Sequence, residues 1–142
     1  MKLNIERRHI YPVIWFGLIA YASVTPSRNF PELKLFPHFD KVVHFGIYFV
    51  LALLLAAAFI KDRKYTRSYL LAGLASVLTG IAFELIQKYL TPDRSGEIND
   101  MLANTLGVLA GIAVYHFLVK GKWPERLFFK NGSPHPISQN RR

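Results

Sequence analysis

A chain of 142 residues is long enough for one domain. Half of it is hydrophobic (51%) and it carries a formal net charge of +9. It has no cysteine, which excludes a disulfide framework, a thiol nucleophile and a cysteine metal site. The apolar residues are concentrated in four blocks, at residues 10–24, 42–60, 69–90 and 101–119. The last three match the ~20 residues needed to cross a hydrocarbon core. We therefore expect an all-α protein, a four-helix transmembrane bundle.

The first block is the shortest, but Tyr11, Trp15 and Tyr21 supply interfacial aromatics. Its basic start, its apolar run and the Ala20-Tyr21-Ala22 triplet resemble a secretory signal. Pro12 and the bulky Trp15 and Phe16 make an unusual signal core, and we expect the block to be retained as a helix. Residues 25–40 contain three prolines, which disfavour a continuous helix, together with Phe30, Leu33, Leu35, Phe36 and Phe39. Such a segment is expected to lie on the outer membrane surface. In the second block, His44 is the one group that titrates near neutral pH. A short basic loop at 61–68 follows.

The third block contains Glu84 and Lys88. A charged side chain at a membrane-helix centre costs roughly 3 kcal/mol or more, which makes Glu84 a candidate functional group. A short polar loop at 91–99, with Pro92 and Gly96 as breakers, leads to the fourth block, which is interrupted by His116. Asn99 or Asp100 is expected to cap that helix. Residues 120–142 read as a basic tail, with 123–129 able to rest on the inner leaflet and the remainder disordered.

The basic residues are unevenly distributed. Three precede the first block, four fall in the 61–68 loop and six follow the fourth block, out of 18 in all. The positive-inside rule then places both termini in the cytoplasm. This distribution accounts for the net charge without a nucleic-acid partner. Glu32, Asp40, Glu84, Asp93, Glu97 and Asp100 collect on the opposite, outer side.

Helical spacing groups the polar residues into stripes. In the third block Gly73, Ser76, Gly80, Glu84 and Gln87 lie on one face. In the fourth, Asp100, Asn104, Gly107 and Gly111 do the same, and Gly107-xxx-Gly111 is the spacing that lets membrane helices approach closely. In the second, Asp40, His44 and Tyr48 share a face. With alternating helix directions, all three polar ends reach the same depth near the outer surface.

Three pieces of sequence carry a family resemblance: Asp40-Lys41-xx-His44-Phe45, Glu84-xx-Gln87, and the run from Pro92 to Gly111 containing Arg94, Ser95, Gly96, Glu97, Ile98, Asp100, Asn104 and Gly107. Together they resemble the VanZ-like family, over about residues 9–119. The resemblance implies a small integral membrane protein of the bacterial cytoplasmic membrane with its polar motifs outward. It also implies a VanZ-like transmembrane domain over residues 1–119, followed by the tail. The family's namesake is associated with low-level resistance to teicoplanin, a lipid-tailed glycopeptide.

Asp40, Lys41, His44, Glu84, Gln87, Arg94, Asp100 and Asn104 form the expected ligand-binding set, and Gly73, Gly80, Gly107 and Gly111 the packing set. Each polar member also has a plain reading. Glu84 and His44 can clamp helices together, Asn104 and Gln87 can bond between helices, and Arg94 can pair with a nearby acid. The leading functional reading is a non-enzymatic protein that binds a lipid headgroup, a cell-wall precursor or a glycopeptide at the outer leaflet. Membrane lipids are its expected partners, and no cofactor or resident metal is assigned. The alternative is a membrane enzyme acting on a lipid-linked pyrophosphate, with a divalent cation held by Asp40, His44, Glu84 and Asp100. Ion transport is disfavoured, because the polar stripes stop halfway along the helices.

Overall fold

The computed structural model describes residues 7–26, 29, 35–60, 65–90 and 97–129. Four helices dominate: α1 (Arg7–Val24), α2 (Phe39–Phe59), α3 (Tyr65–Leu90) and α4 (Ile98–Val114). The described residues contain no strand. α4 continues through a wide π-helical turn at Tyr115–Val119, so that its apolar rod runs over Ile98–Val119.

α2, α3 and this α4 rod are long and apolar enough to cross a membrane. α1 has 18 residues, begins with Arg7 and Arg8, and is not among them. It packs on α2 and α3, where the Trp15 indole N–H donates to the Ile47 carbonyl at 3.0 Å. The helices begin about one turn ahead of the apolar blocks because their first turns are polar: Arg7 and Arg8 in α1, Asp40 and Lys41 in α2, Asn99 and Asp100 in α4.

The interior mixes small and polar residues with a few large ones, among them Tyr48, Leu51, Val108 and Tyr115. Ala52, Ala56, Ala57, Ala72 and Ser76 are buried, while Leu70, Leu74, Leu78, Leu102, Leu106 and Leu109 face outward. Lipid tails are as apolar as leucine, so hydrophobic burial does little to drive these helices together. Close backbone approach does more, and it is tightest between α2 and α4, the most extensive helix pair. A Cβ on Gly107 would overlap the Phe45 carbonyl, and one on Gly111 would overlap the Phe49 carbonyl. Gly80 faces the Tyr48 ring, and Gly73 faces the Ile112 side chain.

Beyond Val119 the chain continues into the segment expected to rest on the inner leaflet. It remains structured to Phe129, whose buried ring meets Tyr11 and Tyr115 edge-on. The Tyr115 hydroxyl reaches the Glu125 carboxylate at 3.5 Å. Two aromatic rings from the bundle thus hold a segment that composition alone marks as polar. Most of the first loop, residues 61–64, residues 91–96 and residues 130–142 lie outside the described residues.

Candidate functional site

α2 starts after His38, which adopts a left-handed conformation (φ 63°) and turns the chain into the helix. This entry places Asp40 and Lys41 in the first turn of α2 and His44 one turn deeper. α4 starts after Glu97, its N-cap residue, which makes no side-chain cap bond. Asp100 therefore lies inside the first turn and is not the cap expected from sequence. Its negative charge suits a helix N-terminus, where unpaired N–H groups leave a partial positive charge. Its side chain turns away from the backbone to meet Lys41.

The Lys41 ammonium is the hub of the outer half of the site. It lies 2.6 Å from Asp40, 2.8 Å from Glu97 and 2.6 Å from Asp100. These contacts tie the start of α2 to the start of α4. Asp100 Oδ1 lacks hydrogen-bond geometry to any donor, yet its 2.6 Å separation from the ammonium is a close ionic contact.

The inner half centres on Glu84. His44 Nδ1 stands 3.1 Å from Asn104 Oδ1 and 3.4 Å from Glu84 Oε1. Both oxygens are acceptors, so the neutral ring is assigned its proton on Nδ1, leaving the Nε2 lone pair on the Asp100 side. Asp100 Oδ2 is 3.9 Å from Nε2. The Asn104 amide also donates to Glu84 Oε1, at 3.5 Å. Asn104 thus bridges a residue of α2 and one of α3 from a single turn of α4. The Glu97 backbone N–H approaches the Glu84 carboxylate but makes no hydrogen bond to Oε2. That oxygen is buried without a hydrogen-bond partner.

The structure therefore brings Asp40, Lys41, His44, Glu84, Asp100 and Asn104 into one cluster. Gln87 is buried on α3 one turn beyond Glu84. Arg94 lies outside the described residues. Glu97 belongs to the cluster through Lys41, although sequence reading left it among the loop residues. Its signal was the position just ahead of the fourth apolar block, level with Asp40 and Lys41.

Exposure falls steadily through the cluster. It is 59% for the Asp40 side chain and 50% for Glu97, 18% for Lys41, and 9% and 2% for Asp100 and Glu84. Three carboxylates thus contact one ammonium, and the fourth, Glu84, lies deeper beside His44 and Asn104. One imidazole nitrogen and one oxygen each from Glu84 and Asp100 lie within 4.8 Å of one another, close enough for a shared ion. Asp40, Glu97 and Asp100 form a second such group, but the Lys41 ammonium already contacts all three.

A bundle of long apolar helices with a polar cluster at one end of α2, α3 and α4 defines a helical membrane protein. The chain belongs to the VanZ/LLP1 family, whose model matches residues 7–119. No curated protein and no solved structure matches the chain. The matched span covers all four helices and ends with the π-helical turn.

Proposed function

We propose that this chain is a non-enzymatic membrane binding protein that receives the polar end of an amphiphile in the cluster around Glu84. The supporting observation is the gradient from exposed Asp40 and Glu97 to buried Glu84, whose second carboxylate oxygen has no hydrogen-bond partner. Such a path suits a ligand that enters from the bilayer surface. Lys41 is already held by three carboxylates, so the excess negative charge favours an ammonium or amide donor at the mouth. The outward leucines of α3 and α4 offer an apolar flank for an acyl chain.

The distribution of basic residues supports an outer-leaflet position for the cluster, with both termini cytoplasmic, in a bacterial cytoplasmic membrane. Aminated lipid headgroups, lipid-linked cell-wall precursors and lipid-tailed glycopeptides all meet that leaflet. Retaining a glycopeptide there would withhold it from its target and give the teicoplanin protection associated with the family's namesake.

The test expresses the chain and its Glu84→Ala variant at equal membrane levels in a teicoplanin-susceptible bacterium. The expected result is a higher inhibitory concentration for teicoplanin than in cells lacking the chain, little change for vancomycin, and loss of protection in the variant. Absence of protection by well-expressed wild type removes the glycopeptide from the reading. Native mass spectrometry of the purified chain then reads co-purifying lipid, which Glu84→Gln should lose. Equal retention by the variant would place binding elsewhere.

The closeness of His44, Glu84 and Asp100 also favours a second reading, a membrane enzyme that cleaves a lipid-linked pyrophosphate with a divalent cation. Phosphate release in proteoliposomes, stopped by chelator, is its signature; the absence of release from such a substrate removes it.

A further inference from the structure

We propose that His44, Glu84 and Asp100 form a divalent-cation site. This rests on the reading of the cluster as a binding site and names an occupant for its inner end. Three side chains from three different helices converge there, with one donor atom from each within 4.8 Å of the others. Ligands bound ~2.1 Å from a common ion stand roughly 3–3.5 Å apart. Glu84 Oε1 lies 3.4 Å from Nδ1 of the His44 ring and Asp100 Oδ2 lies 3.9 Å from its Nε2. With one ligand atom from each of the three residues already within 4.8 Å of the others, side-chain shifts on the order of 1 Å would close the set.

A second observation points to a ligand. Glu84 is 98% buried by its 2% exposure, and its Oε2 has no hydrogen-bond partner. A buried carboxylate oxygen with no donor is costly, and a cation would supply what it lacks. Two carboxylates also match the charge of a divalent ion when the imidazole is neutral.

The surroundings complete the argument. Asn104 accepts at His44 Nδ1, which leaves Nε2 as the ring nitrogen available to a metal. Lys41 holds Asp100 through Oδ1, which leaves Oδ2 on the His44 side. The neighbouring Asp40, Glu97 and Asp100 group has no such vacancy, because the Lys41 ammonium contacts all three. The imidazole nitrogen favours a transition-metal ion, and zinc, which accepts both histidine nitrogen and carboxylate oxygen, serves as the probe. Three protein ligands leave at least one position for water or an oxygen of the amphiphile's polar end.

The test uses the full chain in lipid nanodiscs, stripped with chelator, titrated with Zn²⁺ and read by calorimetry and elemental analysis. One Zn²⁺ per chain is expected. His44→Gln and Glu84→Gln should weaken it more than about 10-fold, while Glu125→Gln, whose carboxylate contacts Tyr115 and Gly121 away from the cluster, should leave it nearly unchanged. No uptake, or uptake kept in His44→Gln, overturns the site. X-ray absorption of the zinc-loaded wild type does not depend on any variant folding. One imidazole nitrogen bound to the ion is expected, and an all-oxygen set overturns the assignment. If Zn²⁺ fails to bind while Glu84→Gln still loses its co-purifying lipid, the cation is removed and the binding cluster stands. If Zn²⁺ binds and lipid retention is unaffected by Glu84→Gln, the cation stands and the amphiphile reading falls.

Discussion

Asn104 illustrates how one side chain organises the site. Its carbonyl faces the His44 ring and its amide faces Glu84. Asn104→Leu would leave both partners against an alkyl group, at a cost of about 1–3 kcal/mol from the unpaired groups. We expect a lower melting temperature in detergent for that variant. Glu84→Gln keeps the volume and removes a buried charge, so it should melt at or above the wild-type temperature. An Asn104→Leu protein as stable as wild type would show that the bridge holds nothing together. Helical spacing alone made part of this legible. Positions four apart put Asp40 with His44, and Asp100 with Asn104, on shared faces. It did not reveal that Asn104 bridges the other two helices, because a period within one helix carries no information about its neighbours. Nor did it reveal that Lys41 would be occupied by Asp40, Glu97 and Asp100.

The α2–α4 pair sets the distances within the cluster. Gly107 and Gly111 lie against the main-chain carbonyls of Phe45 and Phe49, within two turns of His44 and Asn104. A methyl group at either glycine would meet backbone, which cannot rotate aside as a side chain can. Gly107→Ala is therefore expected to separate the helices and cost about 1–3 kcal/mol. It should also weaken whatever the His44–Asn104 contact supports. Gly46, in the same region of α2, has open space where its Cβ would be. Gly46→Ala should change stability by less than about 0.5 kcal/mol. Equal melting of the two variants would sink this account of the interface. The Gly-xxx-Gly spacing was legible from sequence, but the helix it meets was not. The helices start ahead of the apolar blocks for a related reason. An apolar block marks the hydrocarbon-compatible part of a helix, whereas hydrogen bonding carries the helix on into polar turns such as Asp40-Lys41 and Asn99-Asp100.

Orientation is a property of the whole molecule and rests on charge. The absence of native cysteine makes it directly measurable, since any single introduced thiol is unambiguous. With Lys2→Cys, Ser95→Cys and Arg142→Cys in separate variants, a membrane-impermeant reagent applied to intact cells should label only Ser95→Cys. Labelling at both ends and not at position 95 would invert the topology and put the cluster on the inner side. The sequence by itself determined an all-helical membrane bundle, because block length and apolar content are sums over neighbouring residues. It also determined which residues share a face, because the helical period is local. Only the tertiary structure decided that Glu84 would meet His44 and Asn104, that Glu97 would join through Lys41, and that the chain beyond Val119 would fold back to bury Phe129. Those outcomes depend on which stripes face each other and how closely the backbones approach. That is settled by mutual packing of all four helices, a relation between residues far apart in the chain.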